Sequence, residues 1–177
     1  MPPEAKGLDA SVLAEQSLEA WNARDIPRLV DLLAEDVEWY DPAMSQPPAR
    51  GRAEVRAFAE AVLRAFPDFR YEVLGPVCKA PDGSRCAIHW RITATHTAVL
   101  TPPGFAPTGR RLSMEGIDLI EAQDGKVTRI LTCFDPIAAA EQLLALRLRQ
   151  APGSIRERLM VGLQRLAAAR ARRVSGQ

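Results

Sequence analysis

Apolar residues recur at helical spacing through the first third of the chain. Val12, Leu13, Ala20 and Trp21 follow one such period, and Asp9 ahead of them is a residue type that caps helix N-termini. Asp25 caps a second helix, with Ile26, Leu29, Leu32 and Leu33 on one side. Pro27 fits its first turn, where an amide hydrogen has no intrahelical partner. Residues 36–42 then read as a short strand stopped by Pro42, and residues 43–51 as a loop. A third helix is predicted from Arg52 to Ala65, with Val55, Phe58, Val62 and Leu63 facing inward and Pro67 after its end.

Beyond Pro67 the period changes to two. Strands are predicted over Arg70–Cys78, Arg85–Thr97, Arg111–Glu121 and Lys126–Phe134. Turn signals separate them, the tetrapeptide from Pro81 to Ser84 and the pair Asp124-Gly125. A loop rich in proline and glycine lies between the second and third of these strands, from Leu100 to Gly109. In the second strand Cys86, Ile88, Trp90, Ile92, Ala94 and His96 share one face, which the apolar set marks as the inner one. His89, Arg91, Thr93 and Thr95 share the other. Asp135-Pro136 opens another helix, Ala151-Pro152-Gly153 breaks it, and Ser154 with Glu157 has capping-box spacing before a last amphipathic helix. Helices followed by antiparallel strands describe an α+β fold. The predicted organisation is a pocket domain over residues 8–147 and a basic helical extension over 148–177.

Composition narrows the function classes. The 177 residues carry a net charge of +1, which gives no case for nucleic acid as a partner. The charge is unevenly placed: residues 154–177 hold six arginines and one glutamate, net +5, leaving −4 on the remainder. The leucine stripe of this segment (Ile155, Leu159, Leu163, Leu166) lacks aromatic anchors, so it is expected to pack on the body or on a second subunit, not on a membrane. Three cysteines, Cys78, Cys86 and Cys133, have no metal-ligand or disulfide spacing. Cys78 and Cys86 are expected as small buried thiols. No metal and no cofactor is expected. With no leader-like or membrane-spanning stretch, the expected location is cytoplasmic.

Several pieces in order resemble a known family. They are Trp39-Tyr40-Asp41-Pro42 after two helices, Thr95-His96-Thr97 at a strand end, and the segment from Pro107 to Arg111. Gly116-Ile117-Asp118, Asp124-Gly125-Lys126-Val127, Phe134-Asp135 and a helix with Gln142-Leu143 follow. Over about residues 10–147 this series resembles the SnoaL-like polyketide cyclases of the nuclear transport factor two-like superfamily. It is similar also to limonene epoxide hydrolases and, more loosely, to ketosteroid isomerases. The resemblance implies a cone: a curved antiparallel sheet wrapped by helices around a pocket for a small apolar molecule. It also implies an acid/base aspartate six residues after the hairpin lysine, where this chain has Thr132. Eight residues before that lysine, where the cyclases can carry a histidine, this chain has Asp118.

Asp118 is therefore the first candidate for proton transfer, since a carboxylate facing an apolar pocket is shifted toward its neutral form. His96 is a second candidate, as a proton shuttle or hydrogen-bond donor at the pocket mouth. Asp41 is a third, because two neighbouring carboxyls push their pKa values apart. Trp39, Tyr40, Trp90, Met114, Thr132 and Phe134 are candidate ligand-binding residues. The expected function is a cofactor-independent cyclase or isomerase acting on an apolar oxygenated molecule, polyketide-like by resemblance, in a homodimer. A pocket module that binds without turnover is the alternative. An epoxide hydrolase variant, with a water held by two acids, is a third.

Overall fold

The computed structural model describes residues 9–44, 46–101, 104–144, 149 and 152–174. The chain divides into two compact units, Met1–Ala145 and Leu146–Gln177.

The first unit opens with α1 (Ala10–Ala23), whose N-terminus is capped as the sequence predicts, Asp9 Oδ1 accepting from the Ser11 amide at 2.9 Å. Its buried face carries Leu13, Ala14, Leu18 and Trp21. A short α2 (Ile26–Asp31) follows, with Asp25 accepting from the Arg28 amide. Leu33, placed on this helix by period, instead begins β1 (Leu33–Tyr40), where it pairs with Val127. The strand thus begins three residues earlier than the apolar pattern indicates and ends two earlier. The expected loop holds a two-residue strand, β2 (Ala49–Arg50), before α3 (Gly51–Ala65). Val55, Ala59 and Ala65 of α3 are fully buried.

The predicted strand over residues 70–78 is two pieces, β3 (Arg70–Val73) and β4 (Cys78–Lys79), separated at Gly75-Pro76. Gly75 has φ +96°, a backbone state that interrupts a ladder. Both residues of β4 are exposed, so Cys78 is not the buried thiol expected; Cys86 is. Next come β5 (Arg85–Thr95), β6 (Arg111–Gln123) and β7 (Lys126–Phe134). The sheet order is β2-β1-β7-β6-β5-β3, with β4 also on β5. All pairs are antiparallel except β1 with β7. The helix α4 (Pro136–Leu144) is capped by Asp135, which accepts from the Ala138 amide at 2.9 Å. Its Gln142 side chain accepts from the Ser113 amide at 2.9 Å, where β6 has outrun β7 and has no strand partner on that side. The expected boundary between pocket domain and extension, at residues 147 and 148, lies outside the described residues.

Strand alternation places the core. Ile88, Trp90, Ile92 and Ala94 of β5, which packs against α1, are buried, while His89 is exposed. Trp21, Phe69, Tyr71 and Trp90 meet edge to face or tilted, with ring centroids 5.1 to 6.2 Å apart, separations at which aromatic pairs attract beyond simple burial.

The second unit contains α5 (Ile155–Val174), preceded by the capping box the sequence predicts. The Glu157 amide donates to Ser154 Oγ, and Glu157 accepts in return from the Gly153 amide. Among the described residues no helix is long and apolar enough to cross a membrane.

Candidate active site

The sheet, α3 and α4 line a cavity of about 920 Å³, and Asp41, Tyr71, Trp90 and Thr132 bring polar groups to its lining. Its walls are mostly apolar, with Trp39, Phe58, Phe66, Phe69, Met114, Phe134 and Leu143 among them. Exposed Glu54, Glu60 and Arg64 of α3 stand at its rim. Of the residues expected to bind ligand, Trp39, Trp90, Met114, Thr132 and Phe134 line the cavity and Tyr40 does not. Along β1 the side chains alternate, so Trp39 is buried and Tyr40 is 44% exposed on the far side of the strand. Tyr40 instead borders a shallow depression with Glu38, Pro48 and Arg129.

The three candidate proton-transfer residues are all buried, but only two come together. Asp118 is the register partner of Thr132 on β7 and of Ile88 on β5. Thr132 donates to Asp118 Oδ1 at 2.8 Å and accepts from the Trp39 indole at 3.0 Å. Asp118 itself does not border the cavity; Thr132 does. Burial raises the Asp118 pKa to about 6, moderated by the Thr132 hydroxyl and by the nearby Trp90 indole. The Trp90 N–H approaches this carboxyl without reaching full hydrogen-bond geometry and has no partner among the described residues.

Asp41 follows β1 and borders the cavity directly. Its Oδ1 accepts from the Ala43 amide at 2.7 Å. Burial pushes its pKa up to about 7, against the lowering by that amide and with the charge of Asp118 raising it further. His96 stands apart. It lies eight residues along β5 from Ile88, the partner of Asp118, on the order of 25 Å of extended strand. Its ring packs on Phe66 with centroids 5.3 Å apart, Nδ1 is 3.4 Å from the Thr108 hydroxyl, and Nε2 has no partner among the described residues. Its backbone closes the β5–β6 loop, donating to Arg110 and accepting from Gly109. His96 belongs to that loop closure and does not border the cavity.

Sequence reasoning missed Tyr71. It lines the cavity beside the carboxyls, and burial followed by the charges of Asp118 and Asp41 drives its phenol pKa well above the usual value. The structure makes Tyr71 the register partner of Ile92, which sets it on the inner face. It also missed the reason for Gly116, the register partner of Trp90. A Cβ there would lie 2.4 Å from the Trp90 ring and 2.7 Å from the Cys133 carbonyl oxygen. The absent side chain gives Trp90 room to lie across β6. Among the described residues no cluster of histidine, cysteine and carboxylate side chains could hold a metal ion.

Solved structures share this architecture. A candidate polyketide cyclase from Pseudomonas putida KT2440 superposes with a TM-score of 0.67 at 24% identity, over 77% of this chain and 99% of that one. AclR, a candidate hydroxylase from Streptomyces galilaeus, superposes with a TM-score of 0.63 at 25% identity, over 77% and 96%. A candidate SnoaL-like polyketide cyclase from Jannaschia sp. CCS1 gives 0.67 at 17% identity, over 77% and 92%. No curated protein matches the sequence. The model of the SnoaL-like domain matches residues 14–130. The chain belongs to the SnoaL-like domain family, in agreement with the ordered motifs and the cone fold.

Proposed function

We propose that the cavity is the active site of a cofactor-independent cyclase or isomerase that moves a proton on a neutral, apolar, oxygen-bearing small molecule. The observation that carries this reading is the buried pair Asp41, which lines an apolar cavity, and Asp118, which lies behind Thr132, raised to about 7 and about 6. A carboxyl in that range takes up and returns protons near neutral pH, which an ordinary surface aspartate cannot do efficiently. Two carboxyls, with rim Arg64 as the only cation among the described lining residues, disfavour an anionic substrate. A ketone or enol suits the site better, and names of similar structures point to polyketide-like compounds.

Asp41, which meets the cavity, takes the proton from carbon next to a carbonyl. The Tyr71 phenol, held protonated, donates a hydrogen bond to the oxygen on which negative charge develops. Asp118 stays behind Thr132 as a fixed charge that raises the proton affinity of Asp41. The proton then returns to a second carbon in an isomerisation, or to the new alkoxide after ring closure. The proposal retains a homodimer, for which the outer sheet face offers half-exposed Ile117 and Leu119 among charged neighbours.

Hydrogen–deuterium exchange next to the carbonyl of a cavity-sized cyclic ketone, followed by NMR, tests the reading without the native substrate. The wild type is expected to accelerate exchange, and Asp41→Asn to lose about 10²- to 10⁴-fold of that acceleration while folded. Full acceleration in Asp41→Asn would remove the mechanism. Binding of the ketone without any acceleration by the wild type would favour the second reading, a non-catalytic pocket module, which draws on the hydroxyl of Thr132 at the expected acid position.

A further inference from the structure

Three buried groups on three strands form a directed chain. The Trp39 indole on β1 donates to Thr132 Oγ1 on β7, and the Thr132 hydroxyl donates to Asp118 Oδ1 on β6. Chemistry fixes the direction. An indole nitrogen can only donate, so the hydroxyl oxygen accepts from it and the single hydroxyl proton goes to the carboxyl. A donor aimed at a carboxyl oxygen favours the ionised form. Asp118 thus has a committed side-chain donor, with the Trp90 indole close by. Asp41 has one backbone amide, that of Ala43.

We infer that Trp39 and Thr132 are positioning residues that set the order in which the two carboxyls give up their protons, with Asp118 held as the first anion and Asp41 left as the one that cycles. The inference rests on the proton-transfer reading of the cavity and deepens it. The titratable groups that couple to Asp118 from neighbouring elements are Asp41 after β1, Tyr71 on β3 and Cys86 on β5. The side chains that reach it from β1 and β7 are uncharged. Order matters because Asp118, once ionised, raises the proton affinity of Asp41. The residue opposite Asp118 also follows from this. A second carboxylate at position 132 would be a like charge directly across the ladder, which is unfavourable. A hydroxyl both avoids that and supplies the donor.

The test is a carboxyl ¹³C NMR titration of the full chain without substrate, in the wild type and in Thr132→Val, Thr132→Ser and Trp39→Phe. In the wild type Asp118 is expected to titrate below Asp41. Thr132→Val is expected to raise the Asp118 midpoint by about one pH unit, a tenfold gain in proton affinity. The Asp41 midpoint then falls, because its neighbour stays neutral to higher pH. Thr132→Ser keeps the wild-type order, and Trp39→Phe gives a smaller rise. The Trp39 indole resonance should follow the Asp118 titration in the wild type and lose that dependence in Thr132→Val. An unchanged Asp118 midpoint in Thr132→Val and Trp39→Phe would overturn the inference, as would Asp41 titrating first in the wild type. Should Thr132→Val not fold, Trp39→Phe and the wild-type indole resonance decide. Because no turnover is measured, failure here is distinct from failure of the ketone exchange assay.

Discussion

Asp118 and Glu115 sit three residues apart on β6 and have opposite fates. Glu115 lies on the outer sheet face opposite its register partner Arg91, whose guanidinium donates to Oε1 at 2.7 Å, and His89 approaches Oε2 at 3.5 Å. The Arg91 hydrogen bond holds the Glu115 carboxyl below its ordinary range. Asp118 lies on the inner face opposite Ile88 and Thr132, with no cation against it among the described residues, and burial raises it to about 6. One strand thus carries two carboxyls whose proton affinities are driven in opposite directions by which side of the pleat they occupy. The outer face neutralises charge through cross-strand pairs. The inner face removes water and supplies only neutral donors, and that is what converts a carboxyl into a proton carrier.

The largest effect expected from disturbing this contrast comes from Gly116, between the two carboxyls. Gly116→Ala places a methyl group against the buried Trp90 ring and the Cys133 carbonyl, neither of which is the loose end of a flexible chain. Overpacking of this kind is expected to cost about 3 kcal/mol, read as a lower denaturation midpoint in urea. Wild-type stability would mean that Trp90 has room to move and that the inner face is not rigid. The next effect is electrostatic. Because the Asp118 pKa is raised on folding, the native state binds more protons than the unfolded state between about pH 4 and pH 6. Stability tied to this group is therefore fully present below its unfolded pKa and is lost as pH rises through about 6. Asp118→Asn removes the ionisation and keeps an acceptor for Thr132. Relative to wild type the variant is expected to gain about 2–3 kcal/mol at pH 8 and little at pH 4. Equal differences at both pH values would show that Asp118 carries no raised proton affinity.

The inner face was legible in the sequence because period two makes it so. Trp90 was assigned to the interior from alternation, Asp118 and Thr132 from their spacing to Lys126 in the family resemblance, and the caps Asp9, Asp25 and Asp135 each fulfil their local signature. What alternation does not encode is depth along a strand and distance between strands. His96 has the correct parity yet stands far along β5 from the carboxyls. Asp41 shares the parity of Trp39 in the predicted strand, but β1 ends at Tyr40, so its entry into the cavity depends on how the chain leaves the strand. Tyr71 required the β3–β5 register, which the sequence does not specify. The short β4 escaped because Gly75 and Pro76 were read as part of a strand, although both weaken a ladder. Trp39 and Tyr40 were assigned to the pocket together, against the alternation that rules adjacent strand residues apart.

The smallest expected effect completes the comparison. Glu115→Gln removes the outer carboxylate without changing its size. Arg91 retains Glu72, 3.3 Å away, as a second partner, and the His89 and Arg91 side chains remain open to water. Exposed pairs of this kind contribute little because solvent and salt already screen both members. The variant is therefore expected to unfold at the wild-type midpoint within experimental error, and its stability should change between pH 4 and pH 8 in parallel with wild type. The two substitutions are matched in chemistry, each replacing a carboxyl by its amide on β6, so the divergence of their pH profiles isolates the effect of the face. If Glu115→Gln flattened the profile as Asp118→Asn does, the proton affinity of these carboxyls would follow from the strand's general field, and the inner face would lose its claim to be the site where protons move.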